Sequence, residues 1–343
     1  MTTPTMIAAV VEEANGPFVL RKLARPQPAP GQVLVQIEAS GTNPLDAKIR
    51  AGEAPHAQQP LPAILGMDLA GTVVAVGPEV DSFRVGDAVF GLTGGVGGLQ
   101  GTHAQFAAVD ARLLASKPAA LTMRQASVLP LVFITAWEGL VDRAQVQDGQ
   151  TVLIQGGGGG VGHVAIQIAL ARGARVFATA RGSDLEYVRD LGATPIDASR
   201  EPEDYAAEHT AGQGFDLVYD TLGGPVLDAS FSAVKRFGHV VSCLGWGTHK
   251  LAPLSFKQAT YSGVFTLHTL LANEGLAHFG EMLREADALV QTGKLAPRLD
   301  PRTFSIAEIG SAYDAVLGRN DVPRQRGKIA ITVEPQFNLH EQR

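Results

Sequence analysis

A glycine-rich stretch from Gly156 to Gly162 has the residue types and spacing of a phosphate-binding loop. Gly157, Gly159 and Gly162 follow the pattern G-x-G-x-x-G, and Gly156 begins the variant G-x-x-G-x-x-G. In such a loop one glycine makes the turn, a second lets backbone N–H groups approach a pyrophosphate, and a third allows a helix to pack on a strand. His163 follows instead of the Lys-Ser/Thr pair of a nucleoside-triphosphate site, so we expect a dinucleotide.

The residues on either side of the loop have the periodicities of a strand and a helix. Thr151–Gln155 is a short run rich in β-branched residues, and apolar residues recur at helical spacing from Val164 to Ala171. A flexible linker also matches a glycine pattern, but the flanking elements make it the poorer interpretation. The helix N-terminus adds partial positive charge. The predicted pyrophosphate-binding residues are Gly157, Gly159, Gly160, Val161 and Gly162.

Composition places limits on the class of protein. A chain of 343 residues exceeds one ordinary core and predicts two domains, and a net charge of −6 without a basic patch predicts no nucleic-acid partner. The single cysteine, Cys243, excludes an intrachain disulfide or a cysteine zinc cluster, and its apolar neighbours favour a buried thiol over a nucleophile. No bilayer-spanning segment or signal peptide is apparent, so we expect a cytoplasmic protein without a membrane partner.

Two kinds of element follow one another along the chain. Residues 6–115 predict an all-β unit, a barrel or sandwich, with strands at 6–11, 18–23, 32–39, 71–76, 88–92 and 105–109. Helices are predicted from Thr122 to Leu129 and at 134–141. Strands at 151–155, 174–180, 194–197, 215–221 and 239–244 then alternate with helices, which predicts a doubly wound parallel sheet and an α/β fold. Two amphipathic helices, at 276–291 and 306–317, and a strand at 328–333 complete the chain.

Six segments in order give the sequence a family resemblance: residues 38–52, 64–71, 85–90, the glycine loop, 216–223 and 327–329. Nearly the whole chain resembles the medium-chain dehydrogenase/reductase superfamily, and most closely its zinc-independent quinone and enone oxidoreductases. The resemblance implies a GroES-like β catalytic domain at 1–126, a Rossmann domain at 127–267, and a segment at 268–343 that completes the catalytic domain.

The resemblance also addresses the metal. Zinc alcohol dehydrogenases of this superfamily hold catalytic zinc with a Cys, a His followed by Glu, and a second Cys or Asp. Those positions are occupied here by Asn43, by Met67 with Asp68, and approximately by Leu131, and residues 91–102 lack the cysteines of a structural zinc lobe. Asn, Met and Leu do not make a tetrahedral zinc site, so we predict no metal.

For the cofactor, the end of the second strand of the Rossmann domain decides between NADH and NADPH. Residues 176–181 end without the acid that binds a ribose 2′-hydroxyl, and Arg181 could pair with a 2′-phosphate. We therefore predict NADPH, with Ser183 assisting because relatives carry a Tyr where this chain has Ala198. A solvated Arg181 is the alternative, and Asp184 would soften the preference.

Four further cofactor-binding residues are predicted, two from family positions and two from their place at a strand end. Thr135 matches a threonine against the nicotinamide, and Lys328 matches a basic residue that reaches the pyrophosphate. Leu244 and Gly245 fall at the carboxyl end of a late strand. The alternatives are a helix-interior Thr bonded to its own carbonyls, an exposed strand lysine, and a simple strand end with its turn.

The predicted catalytic residues lie in one segment. Reduction of an α,β-unsaturated carbonyl builds negative charge on the carbonyl oxygen, and Asn43 and Lys48 are the donors that the resemblance places there. Relatives that reduce quinones often carry Tyr at position 48, whereas some enone reductases carry Lys. Asp46 is predicted to orient the segment. A turn-forming Asn43 and a solvated Lys48 paired with Asp46 remain the alternatives.

The sequence thus predicts an NADPH-dependent, zinc-independent reductase of quinones or α,β-unsaturated carbonyls. A one-electron quinone reductase and a non-catalytic NADPH-binding protein are the alternatives. A homodimer through a Rossmann edge strand at 264–269 is also predicted, with an unpaired edge as its alternative.

Overall fold

The computed structural model describes residues 4–321 and 326–334. The chain divides into two units. The first unit comprises the described residues of 1–131, 267–291 and 297–343, and the second comprises 132–266 and 292–296. The short stretch 292–296, which the sequence places with the C-terminal segment, therefore groups with the second unit.

The strands and helices of the described residues are numbered here in chain order. The strands are β1 (Thr5–Val11), β2 (Phe18–Ala24), β3 (Gln32–Gly41), β4 (Ala63–Ile64), β5 (Asp68–Val76), β6 (Ala88–Leu92), β7 (Phe106–Asp110), β8 (Leu114–Ser116), β9 (Thr151–Gln155), β10 (Arg175–Ala180), β11 (Thr194–Asp197), β12 (Phe215–Asp220), β13 (Val234–Ser242), β14 (Thr260–Gly263), β15 (Phe304–Ser305) and β16 (Ala330–Thr332). The α-helices are α1 (Pro44–Arg50), α2 (Met123–Ala126), α3 (Pro130–Trp137), α4 (Gly160–Ala171), α5 (Asp184–Asp190), α6 (Pro202–Thr210), α7 (Pro225–Ala233), α8 (Ala252–Lys257), α9 (His268–Ala272), α10 (Leu276–Gln291) and α11 (Ile309–Leu317).

The first unit is built on two sheets. One has the strand order β15-β16-β3-β5-β6-β8 with β7 also paired to β3, and the other has the order β2-β1-β4. Strand β3 is central because it pairs with β5, β7 and β16, and most of its residues, including Leu34 and Ile37, are buried. The all-β character predicted for this part of the chain is confirmed, and β3 carries the chain directly to α1.

The second unit is a six-stranded parallel sheet in the order β11-β10-β9-β12-β13-β14. The strand order reverses between β9 and β12, which is the topological switch point of a Rossmann sheet. Val152, Leu153 and Ile154 of β9 are completely buried, as expected of a central parallel strand. The predicted doubly wound parallel sheet is confirmed, and its glycine loop follows β9 at the switch point.

Three local expectations differ from the structure. The edge strand is β14, not residues 264–269, because β13 ends at Ser242 and offers no further partner, and the following chain turns into α9. The helix predicted at 134–141 begins earlier, at Pro130, and continues as a π-helical segment, Glu138–Arg143. Helix α1 was not predicted, since seven residues carry too short a pattern to recognise.

None of the helices in the described ranges is long and apolar enough to cross a bilayer.

Candidate functional site

Helix α1 fixes the predicted catalytic segment of the first unit. Pro44 occupies its first turn, where the missing N–H costs no hydrogen bond and the ring presets the helical φ. The Oδ2 atom of Asp46 accepts from the backbone N–H of Asn43 at 2.8 Å, which satisfies a donor that the helix start leaves without an intrahelical partner. Asn43 and Asp46 are both buried, at 1% and 0% exposure. The structure therefore brings these two predicted residues together.

The side-chain amide of Asn43 is held from both ends. Its Nδ2 donates to Oδ2 of Asp68 at 2.9 Å, and its Oδ1 accepts from Nζ of Lys328. The same ammonium donates to the carbonyl oxygen of Thr42 at 2.5 Å. A carboxylate only accepts and an ammonium only donates, so these partners fix which end of the amide carries the nitrogen. Nδ2 has two hydrogens, and Asp68 uses one of them.

Three ionisable side chains are buried together around this amide. Burial raises the pKa of Asp68 to about 6, although the Lys328 charge and hydrogen bonds from Asn43 and the Leu131 backbone oppose it. Burial raises the pKa of Asp46 to about 7, against hydrogen bonds from Tyr313 and Asn43. Burial lowers the pKa of Lys328, against the charges of both carboxylates. The positive charge of Lys328 thus acts on two carboxyl groups, and the pKa values of both carboxyl groups lie near neutral pH.

The three positions that hold zinc in the zinc alcohol dehydrogenases are joined by hydrogen bonds in this chain. Asn43 donates to Asp68, and the backbone N–H of Leu131 donates to the other Asp68 oxygen at 2.8 Å. Met67 is completely buried. Within residues 4–321 and 326–334, no group of three or more His, Cys, Asp or Glu side chains is placed to bind a metal ion. An amide, a carboxylate and a backbone N–H therefore occupy these positions.

Lys48 is solvated, as its alternative supposed, but it is not paired with Asp46, and Lys328 is buried instead of exposed. The side chain of Lys48 is exposed on α1, between the buried Ala47 and Ile49. The ion pair with Asp46 that was considered as an alternative is absent among the described residues, because Asp46 is buried and accepts from Asn43 and Tyr313. Lys328 is 3% exposed, so the alternative of an exposed strand lysine is wrong. Its predicted contact with a pyrophosphate stays a prediction.

In the second unit, the glycines of the loop differ in how much space surrounds them. A Cβ on Gly162 would lie 2.1 Å from the carbonyl oxygen of Gly156, and one on Gly157 would lie 2.7 Å from Cβ of Ala178. A Cβ on Gly159 would meet only the Gly156 oxygen, at 3.2 Å, because Gly159 is exposed at the start of α4. Packing therefore excludes a side chain at two positions, while the third leaves the loop open to a ligand.

The first turn of α4 presents backbone donors on this open side. No acceptor among the described residues bonds the backbone N–H of Gly160, Val161 or Gly162. Such donors at a helix N-terminus, beside a glycine cradle, fit a pyrophosphate. The residues present therefore fit a dinucleotide.

Two arginines lie near the ends of β10 and β11. Arg181, which follows β10, is exposed, and its charge helps to lower the pKa of Asp197. The largest contributions to that shift are hydrogen bonds from the backbone and hydroxyl of Ser199, and Arg200 adds a further positive charge. Asp184 lies against the loop, since a Cβ on Gly158 would meet its carboxylate oxygen at 2.4 Å. Arg200 was not identified from the sequence.

Thr135 lies on α3 and belongs to a chain of hydroxyl groups. Its Oγ1 lies 3.1 Å from Oγ1 of Thr266, which donates to Oε2 of Glu138 at 2.6 Å. The backbone carbonyl of Thr135 accepts from the hydroxyl of Tyr219 at 2.7 Å. Glu138 begins the π-helical segment, a feature that often marks functional sites. Thr266 and Glu138 were not identified from the sequence because no local pattern connects them to Thr135.

Leu244 and Gly245 follow β13 on the same sheet. The backbone N–H of Leu244 donates to the hydroxyl of Ser242 at 3.0 Å, and that hydroxyl donates to Asp220 at 2.7 Å. A Cβ on Gly245 would lie 2.1 Å from the Tyr261 hydroxyl. Burial raises the pKa of the neighbouring Cys243 thiol to about 12, which agrees with a structural thiol and not a nucleophile.

Two family descriptions match the chain. Residues 29–119 match "Alcohol dehydrogenase GroES-like domain", and residues 160–287 match "Zinc-binding dehydrogenase". The first match confirms the GroES-like fold expected of the first unit. Two solved structures of 26% and 27% identity have the same fold, an enoyl reductase named CurK and an NAD-dependent alcohol dehydrogenase. Their TM-scores are 0.81 and 0.82, and they cover 97% and 96% of this chain and 100% of their own.

Curated relatives cover most of the sequence. The 2-methylene-furan-3-one reductase of Solanum lycopersicum is 32% identical over 308 residues, which are 88% of this chain and 71% of that protein. The chloroplastic NADPH-dependent alkenal/one oxidoreductase of Arabidopsis thaliana is 32% identical over 319 residues, or 90% and 75%. The polyketide synthase protein NorB of Streptomyces orinoci is 33% identical over 98% of this chain, but the chain spans only 14% of its length.

Proposed function

Because this chain belongs to the medium-chain dehydrogenase/reductase superfamily, we propose that it is an NADPH-dependent, zinc-independent oxidoreductase that reduces α,β-unsaturated carbonyl compounds or quinones. The observation that carries the proposal is the Asn43 amide, fixed between Lys328 and Asp68 with one N–H not used by Asp68. The names of the two plant relatives, one a furanone reductase and the other an alkenal/one oxidoreductase, support the unsaturated carbonyl as substrate class.

The proposed mechanism assigns separate tasks to the residues of the catalytic segment. A bound reduced nicotinamide would supply the hydride to the β-carbon. Asn43 donates its second amide hydrogen to the carbonyl oxygen, where negative charge develops. Lys48, exposed on the same helix, adds a second donor and a proton source. Asp46 holds the segment through the backbone N–H of Asn43.

NADPH is proposed from the residues of the second unit. The backbone groups of Gly157, Gly159, Gly160, Val161 and Gly162 would hold its pyrophosphate, with Lys328 as the further predicted contact. Arg181 and Ser183 would hold the 2′-phosphate, Thr135 would contact the nicotinamide, and Leu244 and Gly245 would line the cofactor. One plant relative is named NADPH-dependent, while a solved relative is named NAD-dependent. Asp184, next to the loop, is the residue that would allow some use of NADH.

Turnover of NADPH tests the proposal directly. The chain is incubated with NADPH and a panel of enones, alkenals and quinones, and loss of the reduced cofactor is followed by absorbance. We expect oxidation with at least one enone or alkenal. If NADPH raises the unfolding temperature but no acceptor is reduced, the chain is an NADPH-binding protein without this activity and the proposal fails.

Lys48 separates two-electron alkene reduction from one-electron quinone reduction. Lys48→Ala should lower kcat on an enone by about 10-fold or more, because general acid catalysis typically contributes 10²–10⁴-fold. Lys22→Ala, an exposed lysine on β2 of the same unit, is the control and should leave kcat unchanged. Equal rates for wild type and Lys48→Ala, together with semiquinone formation from quinones, would indicate one-electron chemistry instead.

A further inference from the structure

A buried chain of hydrogen bonds ends on Asp46. The hydroxyl of Thr102 lies 2.7 Å from that of Ser40, which lies 2.9 Å from Nδ1 of His103. Nε2 of His103 lies 2.8 Å from the hydroxyl of Tyr313, which donates to Oδ2 of Asp46 at 2.8 Å. All five side chains are completely buried. The chain thus joins β3, the stretch before β7, α11 and α1.

When Asp46 is ionised, the number of hydrogens fixes the direction of every bond in this chain. Tyr313 has one hydroxyl hydrogen and gives it to Asp46, so its oxygen must accept from Nε2–H of His103. The neutral ring then presents Nδ1 as an acceptor, and Ser40 must donate to it. Ser40 has no second hydrogen, so Thr102 donates to Ser40. All four donors therefore point toward the carboxylate.

Packing around the chain holds it in one arrangement. Phe18 stacks on the ring of Tyr313, with 5.1 Å between centroids. Gly66 passes so close to His103 that a Cβ would lie 2.6 Å from Cε1 of that ring, and its φ of +93° also favours glycine. Burial lowers the pKa of His103 to about 3, so the ring stays neutral. Gly66, the first glycine of the 64–71 segment, therefore leaves room for the His103 ring. The family resemblance assigned no such role to it.

Asp46 depends on this chain for its position. Its Oδ2 accepts from both Tyr313 and the Asn43 backbone, whereas its Oδ1 is buried without a hydrogen-bond partner among the described residues. The other charged groups that act on Asp46 are Asp68 and Lys328, and Arg50 acts on Tyr313. One oxygen atom therefore connects the C-terminal helix α11 to the first residue of the catalytic segment.

We propose that Tyr313 is a positioning residue, which acts through Asp46 on Asn43 and so sets the acidic limit of the activity. The inference rests on the proposed function, because it takes Asn43 as the group that contacts the substrate. Ionised Asp46 holds the Asn43 backbone, and protonated Asp46 binds it more weakly. The Tyr313 hydroxyl favours the ionised form and so extends activity to lower pH.

The direction in which Tyr313→Phe changes the pKa of Asp46 follows from the groups that act on this carboxyl group. Burial raises the pKa of Asp46 to about 7, and the hydrogen bond from Tyr313 works against that rise. Removing the hydroxyl in Tyr313→Phe therefore raises the pKa further. One hydrogen bond to a charged group corresponds to a shift of roughly one pH unit or more. The variant should lose activity at a higher pH than the wild type does.

The first experiment measures the protonation of Asp46 through the Asn43 backbone amide and needs no enzymatic activity. The chain has five asparagines, so selective ¹⁵N-asparagine labelling gives few backbone amides, and Asn43→Ser identifies the Asn43 signal. We expect this amide to titrate near neutral pH and its midpoint to rise by about one unit in Tyr313→Phe. Tyr205→Phe, which removes the hydroxyl of a buried tyrosine in the second unit, should leave the midpoint unchanged. An unchanged midpoint in Tyr313→Phe overturns the inference whatever the activity.

The second experiment measures kcat on an enone as a function of pH. The acidic limb should move upward in Tyr313→Phe by the same amount as the amide midpoint, with the affinity for NADPH unchanged. If the midpoint of the Asn43 amide titration moves but the acidic limb of the kcat profile does not, positioning through Tyr313 is wrong while the reductase function stands. If the wild type reduces no acceptor, the proposed function fails and the amide titration alone decides the effect of Tyr313 on Asp46. Should Tyr313→Phe not fold, Ser40→Ala removes an earlier link and should raise the midpoint less.

Discussion

The buried carboxyl group of Asp46 costs stability at neutral pH. Its folded pKa, about 7, lies above the ordinary value of 3.8 because the side chain is desolvated. A group whose folded pKa is raised stabilises the fold below its unfolded pKa, and that stability is lost as pH rises through the folded pKa. Asp46 therefore stabilises the protein less at pH 8 than at pH 4. The difference in the free energy of unfolding is what it costs to bury a charged carboxylate next to Asn43.

Asp46→Asn should consequently raise the free energy of unfolding at pH 8 by up to about 4 kcal/mol, which corresponds to the rise of the Asp46 pKa from 3.8 to about 7. The gain should disappear near pH 4, where both side chains are neutral. Urea unfolding at several pH values measures it. Asp300→Asn is the opposite case: burial raises the pKa of Asp300, but hydrogen bonds from Arg302 and the Arg326 backbone outweigh it and leave a pKa of about 2. That variant should lose stability at pH 8, and the same sign for both would contradict this account.

Arg181 carries the prediction of cofactor preference. If its guanidinium pairs with a 2′-phosphate, Arg181→Ala should weaken NADPH binding by about 10- to 100-fold, the value of a hydrogen bond to a charged group. NADH has no 2′-phosphate, so its affinity should change little. Titration calorimetry with both cofactors measures the difference. Arg189→Ala, an exposed arginine on α5, serves as control, and equal losses for NADPH and NADH in Arg181→Ala would contradict the assignment.

Within the glycine loop, two substitutions separate folding from cofactor binding. Gly162→Ala places a Cβ 2.1 Å from the Gly156 oxygen and should destabilise the protein by about 1–3 kcal/mol or more. Gly159→Ala has ordinary extended backbone angles, and its Cβ meets only one atom at 3.2 Å. It should fold nearly as well as the wild type.

Although Gly159→Ala should be the more stable of the two variants, it is the one expected to impair cofactor binding. The methyl group of Gly159→Ala would stand where backbone donors must approach a pyrophosphate. The rise in unfolding temperature caused by NADPH should therefore be smaller in Gly159→Ala than in the wild type. A full NADPH-dependent rise in that variant would show that this face of the loop does not hold the pyrophosphate.

Elements with a clear local pattern could be predicted from the sequence even when they are short, whereas elements that depend on tertiary contacts could not. The strands at 88–92, 151–155 and 194–197 and the helix at 276–291 have the bounds read from the sequence. The edge strand was misplaced because Phe265 and Thr266 have strand-forming side chains but pair with no strand of the described residues, and Val264 adds only one hydrogen bond, to Ser242 at the end of β13. Helix α1 depends on Pro44 and the Asp46 contact more than on its apolar spacing.

For the molecule as a whole, the candidate site combines residues that are remote in sequence. Asn43 and Asp46 were predicted from one segment, but Lys328 was assigned to a pyrophosphate and Tyr313 was not identified. Lys328 meets Asn43 because β16 pairs with β3 in antiparallel register, Ala330 opposite Gly41. Tyr313 meets Asp46 across 267 positions of the sequence. No local pattern encodes such pairings. The family resemblance therefore identified Asn43 and Asp46, whereas only the fold shows that Lys328 and Tyr313 contact them.

The open edge of the six-stranded sheet leads us to expect a homodimer. Strand β14 pairs with β13 on one side, and no strand of the described residues pairs with its other side. Large apolar side chains are exposed in the sequence on either side of β14, including Phe256 at 86% before it and Phe265 at 38% after it. An edge that is both unpaired and flanked by apolar surface is suited to a second copy of the same strand, which would continue the sheet across a twofold axis.

A single backbone donor tests this arrangement. The N–H of Val264 donates into the sheet, to Ser242, so the alternating N–H of Gly263 points to the open edge. Gly263→Pro removes that donor and should give a monomer in light scattering, because proline interrupts strand pairing at the edge it faces. Gly263→Ala keeps the N–H, has room for its Cβ, and should remain a dimer. A monomeric wild type, or a Gly263→Pro variant that stays dimeric, would place any interface elsewhere on the molecule.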